Sequence, residues 1–363
     1  MPMSEFEALA KNVVRRTLRV RPKENVIVEC WNHGLDAARE IVYQLRSIGA
    51  RSTLLFEDED TYWRGVETLP TGKLGQVSSS EWAALAKADA YIFLPGPADI
   101  ARYRKNLPKS QAATAYNSEW YRRAKKAGLR GARVLLGYVT RERAASYGFE
   151  FDPWRAMLVR ATSADFGPIA RKGKKLATLL SKEAEVEITG PNGTRLTLEL
   201  SGRKARTDDG IVDAQDLKAG HFMTNVPPGY AIVSPDESTG EGTFRADRPA
   251  PYLGSGVMDV AFEFHDGHAE WTASANSELV RSQYERAKGA KDRVGTLSIG
   301  INPEASYGYL QDDLVAGCVE VSIGDNSEED GRNRSDFGLG GRLSRATVRV
   351  GKRVIVDGGR LVV

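Results

Sequence analysis

The 363-residue chain is poor in the residue types that most often announce chemistry. Its two cysteines, Cys30 and Cys318, lie far apart and outside any Cys-x-x-Cys or Cys/His cluster. That excludes a disulfide framework and a cysteine-rich zinc site. It has four histidines, His33, His221, His265 and His268, and none beyond position 268. No run approaches the ~18 apolar residues of a membrane span, and the opening MPMSEFEALAKNVV carries charge throughout in place of an apolar leader. A large excess of one charge is missing too. With 51 basic and 48 acidic side chains the net charge is +3, so the clustered basic surface of a nucleic-acid binder is not indicated. The basic stretches around Lys172 and Lys291 read as solvated faces or turns. Also lacking are a phosphate loop ending in Gly-Lys-Ser/Thr, a dinucleotide-binding glycine fingerprint and a Gly-x-Ser-x-Gly elbow. The expectation is a cytoplasmic protein with no nucleic-acid or membrane partner.

What is present is ordinary globular composition, with 41% hydrophobic residues and a length that suits about two domains. Through residue 150 helical and strand patterns alternate. Ser4 and Glu7 have the spacing of a capping box. ENVIVEC reads as a buried strand. The stretch LDAAREIVYQLRSIG has Leu35, Ala38, Ile41, Val42 and Leu45 on one helical face and stops at Gly49. RSTLLFED, DAYIFLPGP and ARVLLGYVT continue as strands, with helices at SEWAALAKA and NSEWYRRAKKAG. This alternation predicts a small doubly wound α/β domain over 1–150. Residues 151–183 read as a helical connection. From 184 to 363 hairpins dominate, with turns at Asn192-Gly193, Asp266-Gly267 and Gly351-Lys352. One helix, at ANSELVRSQYERAKG, interrupts them. The expected second domain is sheet-rich α+β, with a cleft between the two.

Few residues suggest a site by pattern alone. His265 and His268 flank a tight turn, which explains their spacing without a metal. His33, in CWNHG, follows a strand and precedes a helix, where α/β domains collect ligands. His221 has no distinctive context. In NVPPGYAIVSPDESTGEG a Pro-Pro-Gly turn leads to Tyr230 at a strand start. The segment GDNSEEDGRNRSDFGLGG, residues 324–341, combines carboxylates with glycines and suits either an ion site or a solvated loop.

Taken in order, TGPNGTRLTLEL, DDGI, NVPPGYAIVSPDESTGEGTF, LSIGINPEA, VEVSIGDN and VIVDGGRLV resemble the thermophilic-type metallo-aminopeptidase family. That family comprises aminopeptidases T and S and has 2,5-dihydroxypyridine 5,6-dioxygenase as an iron-dependent relative. The likeness extends to PKENVIVEC and so spans nearly the whole chain. It implies the two-domain fold read above, a homodimer and an active site in a deep cleft. It also implies two metal ions that activate water and polarise a carbonyl, yet the matching ligand positions hold other residues here. Tyr230 stands for the first glutamate, Thr296 for the second acidic ligand, Glu320 for a histidine, and Gly338 and Gly340 for a late His-x-Asp pair.

Three readings remain open. In the first, a metal-independent hydrolase or related acid–base enzyme acts on a small amide, ester or similar polar substrate, without a cofactor. Glu320 is its base or nucleophile, Tyr230 its acid or hydrogen-bond donor and Thr296 a positioning hydroxyl. Asn225, Asp325, Asn326, Asp336 and His33 are the expected substrate-binding residues. In the second, Glu320, Asp325 and Asp336 form a relocated oxygen-rich site for magnesium, calcium or manganese. In the third, the chain is a non-catalytic dimer that binds a small molecule or a partner protein.

Overall fold

The computed structural model describes residues 4–363. The chain divides into two compact units, Met1–Ala164 with Gly210–Pro227, and Asp165–Asp209 with Pro228–Val363. This differs from the expected boundaries at 150 and 184. The helical connection is two helices, Phe151–Ser163 and Phe166–Leu180, and the unit boundary falls between them. Part of the expected second domain also returns to the first.

The first unit is built on a five-stranded sheet in the order Arg51–Glu57, Asn25–Trp31, Ala90–Phe93, Arg130–Val134, Met223–Val226. Every pairing in it is parallel. The first four strands are those read from the sequence, and the fifth comes from the returning segment. On one face Ile27 and Tyr91 pack with Trp120, Ala124, Leu129 and Phe222. On the other, helix Leu35–Ser47 buries Ala38, Ile41 and Leu45, and it ends before Gly49, whose φ of +79° a β-carbon would disfavour. The Ser4–Glu7 capping box does not form. Phe6 is the N-cap of the first helix, and Ser4 Oγ accepts from the Phe6 N–H at 3.3 Å. Among the described residues no helix is long and apolar enough to cross a membrane.

The second unit has two main antiparallel sheets, besides a two-stranded one formed by Ala250–Tyr252 and Ser255–Val257. The larger, of eight strands, contains the three expected hairpins, Glu183–Thr189 with Arg195–Ser201, Ala261–His265 with His268–Thr272, and Thr347–Val350 with Arg353–Asp357. The smaller has five strands in the order Gly338–Leu343, Val319–Gly324, Val294–Gly300, Tyr230–Val233, Arg206–Thr207. Period-two alternation gives this sheet two unlike faces. Ala231, Val233, Leu297, Ile299, Val319, Val321 and Leu343 point to one face and are buried. There the backbone of Gly341 comes close to Phe244 and Phe262 of the larger sheet, and a β-carbon on it would sit 3.2 Å from Phe244. Farther along, Gly173 of helix Phe166–Leu180 leaves only 3.0 Å between such a carbon and Ile301. The apolar face is therefore closed by close packing at both ends. Its partner face is left for polar side chains.

Truncation should separate the two kinds of surface. Ile299→Ala, at a fully buried position, should lower the unfolding free energy by about 2–5 kcal/mol in chemical denaturation. Tyr43→Ala, at a position 64% exposed, should change it by less than about 0.5 kcal/mol.

Candidate functional site

The strand register places the polar face residue by residue. Ser298 lies opposite Ile232 on one side and Glu320 on the other, Gly300 opposite Tyr230, Ser322 opposite Gly340, and Glu320 opposite Arg342. Arg206 pairs with Ile232 at the far edge. Residues directly opposite share a face. Arg206, Tyr230, Ser298, Glu320, Ser322, Gly340 and Arg342 therefore lie on one surface. Thr296, two residues before Ser298, joins them, with its Oγ1 2.8 Å from Ser322 Oγ. The structure thus brings Tyr230, Thr296 and Glu320 to one face of one sheet.

At the centre of one end lies the Arg342 guanidinium. Its Nε donates to Glu320 Oε2 at 2.5 Å, its Nη1 to the Leu310 carbonyl at 2.7 Å, and its Nη2 lies 3.3 Å from Asp313 Oδ1. Burial alone would favour a neutral arginine, but the two carboxylates hold the proton on it more firmly than usual. Glu320 is thereby tied to a cation, and as the expected base it is corrected to one arm of an ion triad. The arginine is its neighbour on the adjacent strand. Asp313 is the other carboxyl of the triad. Burial, opposed by Arg342 and reinforced by Glu320, raises its pKa to about 6. The Tyr230 phenol is raised as well, chiefly by burial and then by the charges of Asp208, Asp313 and Glu320, against the pull of Arg206. It stays protonated at any physiological pH. At the opposite edge Arg206 Nη2 binds Glu329 Oε1 at 2.6 Å, and its Nε is buried without a hydrogen-bond partner.

The other expected substrate-binding residues are elsewhere. Asn326 is buried in the loop after Gly324, where its Nδ2 donates to Glu237 Oε1 and the Gly295 carbonyl, both at 3.0 Å. Its Oδ1 accepts from the Asn333 N–H at 2.9 Å. Asp325 accepts from the backbone N–H of Ser327 and Ser335, at 3.1 Å each. Asp336 is exposed. Asp325 and Asn326 are thus engaged in loop structure, and Asp336 faces solvent. Asn225 and His33 belong to the first unit, Asn225 in its last strand and His33 just after its first. His265 and His268 face Glu241 and Asp292 in surface pairs, each at 3.1 Å, as their turn suggested.

Sequence reasoning missed Asp313, Arg342, Arg206 and Glu329. Period-two alternation from Gly340 would have put Arg342 beside Glu320. Asp313 sits in the short turn Asp312–Leu314, which carries no such pattern. The metal site implied by the family resemblance does not fit these residues. A β-carbon on Gly340 would lie 2.6 Å from Glu320 Oε1, so the glutamate fills the space that a ligand side chain would need. Among the described residues, no group of three or more histidine, cysteine, aspartate or glutamate side chains is placed to hold a metal ion. The relocated site of Glu320, Asp325 and Asp336 is likewise not assembled.

Residues 158–307 match the family model of the thermophilic metalloproteases (M29). The chain is similar to wild-type AmpT from Thermus thermophilus, with a TM-score of 0.76 and 18% identity over 99% of both chains. It is also similar to 2,5-dihydroxypyridine dioxygenase from Pseudomonas putida KT2440, with a TM-score of 0.65 and 14% identity over 99% of this chain and 98% of that one. No curated protein matches the sequence. The family resemblance and the fold read from the sequence are both borne out.

The Asp313 carboxyl gives a pH test. Its folded pKa lies above the unfolded value of about 3.9, so the stability it contributes is fully present below about pH 4 and is lost as pH rises through about 6. The unfolding free energy of the wild type minus that of Asp313→Asn should therefore fall as pH rises across this window. A difference that stays flat, measured by urea denaturation, would show an ordinary carboxyl.

Proposed function

On the premise of an AmpT-like fold with a stretch of M29 sequence, we propose a metal-independent acid–base enzyme. It acts on a small amide, ester or similar polar substrate at the polar face of the five-stranded sheet. The observation that carries this reading is the Asp313 carboxyl with a pKa of about 6, held by Arg342 on the face that also carries Tyr230. A base is most effective when its pKa is near the working pH. In the proposed reaction Asp313 takes a proton from water as the water oxygen attacks the substrate carbonyl. The Tyr230 hydroxyl donates a hydrogen bond to the oxygen on which charge develops. Asp313 then returns its proton to the departing amine or alkoxide. Glu320 acts through Arg342 and keeps its positive charge beside Asp313. Thr296 and Ser322 offer hydroxyls along the same surface.

A non-catalytic binding role is the second reading. It draws on the closure of the Arg342 triad, in which cation and carboxylates satisfy one another. We further propose a homodimer. Strand Arg51–Glu57 is an edge strand, and Leu54 and Phe56 on it are 39% and 47% exposed, a surface suited to a two-fold contact.

Turnover on a panel of nitroanilides and nitrophenyl esters tests the enzyme reading. Activity should survive a chelator unchanged, and its rising limb should have a midpoint near the Asp313 value of about 6. Asp313→Asn should remove that limb and lower kcat on the order of 100-fold or more. Loss of activity with chelator, restored by zinc, manganese or iron, would overturn metal independence. Light scattering at micromolar concentration should give about twice the 39.8 kDa chain mass, and a strict monomer would overturn the dimer.

A further inference from the structure

The first unit holds a crevice that the proposed reaction leaves unused. In its sheet, strand Asn25–Trp31 is flanked by Arg51–Glu57 and Ala90–Phe93. The chain leaving Asn25–Trp31 goes on to Arg51–Glu57, and the chain leaving Ala90–Phe93 goes the other way, to Arg130–Val134. The two connections diverge, and α/β sheets bind ligands at such a point, beyond the carboxyl ends of the strands. A cavity of about 300 Å³ opens there, lined by residues that follow the first, third and fourth strands in chain order, among them His33, Leu94 and Val139. That volume is at the small end of the range for small-molecule sites.

The walls are set before any ligand arrives. His33 Nε2 lies 2.8 Å from the Gly137 carbonyl oxygen and 3.1 Å from that of Pro95, so a single ring nitrogen ties together the loops after the third and fourth strands. Its Nδ1 lies 3.7 Å from Glu59 Oε2. His33, expected from the sequence to contact substrate, is a positioning residue here.

The chemistry of the lining is mixed in a specific way. Phe6, Leu94, Leu136, Val139 and Phe151 make an apolar wall. Four charged side chains also border the cavity, and two of them are already paired. Arg155 donates to Glu5 Oε2 at 2.8 Å, and Asp36 Oδ1 accepts from Arg39 at 3.0 Å. The other two, Arg141 and Glu142, are adjacent. The Arg141 guanidinium stacks 4.3 Å above the Phe151 ring, with Asp152 only at 3.8 Å. Glu142 has no ion-pair partner among the described residues. An apolar cavity bordered by one loosely paired cation and one unpaired anion fits a ligand with an apolar body and both charges. We propose that this cavity binds a free amino acid with an apolar side chain, or a zwitterion of similar size. Its carboxylate meets Arg141, its ammonium meets Glu142, and its side chain packs against the Phe and Leu wall.

Calorimetry on the full-length chain tests this with three probes of one size, L-phenylalanine, 3-phenylpropionate and 2-phenylethylamine. L-Phenylalanine should saturate one site per chain, and each single-charge probe should bind at least about tenfold more weakly, because one border charge then stays unpaired. Arg141→Gln and Glu142→Gln should each weaken L-phenylalanine by roughly tenfold, with thermal unfolding unchanged because both changes are at the cavity border. Val139→Trp, which fills the space, should abolish binding. The proposal is overturned by no saturable binding, by equal binding of the three probes, or by border variants that bind like the wild type. None of these outcomes touches the Asp313 site, so each reading can fail alone.

Discussion

A guanidinium taken out of water on the face of a sheet stays there only if negative charge comes with it. Arg342 meets that condition with Glu320 from the neighbouring strand and Asp313 from the turn before that strand. The turn is drawn in further by Asp312, which binds Arg248 at 2.9 Å and accepts from the Gly308 and Tyr309 N–H groups. One buried cation therefore organises the long connection between strands Val294–Gly300 and Val319–Gly324. Burial on this face raises the pKa of Asp313 and of Tyr230, and the carboxylates gathered around the cation add to the rise.

The loop of acidic and glycine residues at 324–341 takes its meaning from a second buried charge. Glu237 is held at a pKa of about 2, because the bidentate Arg203 and the N–H groups of Arg332 and Asn326 outweigh its burial. Asn333 adds bonds to the carbonyls of Val294 and Gly324, at 2.8 and 2.9 Å. Asp325, Asn326 and Asn333, which look available in the sequence, are therefore committed to fastening the loop. Gly340 has a different reason, since its missing side chain leaves room for Glu320. A string that reads as a ligand site is a latch followed by a vacated position.

Local signals carried much of the fold. The Asn192-Gly193 turn fixes a hairpin by its own dihedral preference, with Gly193 at φ +88°, and the helix at Leu35–Ser47 follows from its apolar stripe. The fifth strand of the parallel sheet was not legible, because Met223–Val226 pairs with residues far upstream and is too short to have a period of its own. The same distinction governs the site. Tyr230, Thr296 and Glu320 could be placed together only through the family resemblance, as the positions that match its ligands. The pairing of Arg342 with Asp313 depends on how a loop folds back, and a single sequence does not encode that in any local pattern. The Ser4–Glu7 spacing shows the converse, a local motif that does not form because the helix starts later, with Phe6 as its N-cap.

The return of Gly210–Pro227 to the first unit also has a consequence for biosynthesis. A ribosome releases the chain from its amino end, and most multidomain proteins use that direction to finish one domain before starting the next. Here the order cannot be kept. Residues 165–209 of the second unit emerge before the last strand of the first. Until residue 226 is free of the exit tunnel, strand Arg130–Val134 has an open edge able to pair with a neighbour on the same polysome. The nascent chain therefore has two unfinished units at once, and the short strand Met223–Val226 sets the earliest moment at which the first of them can close.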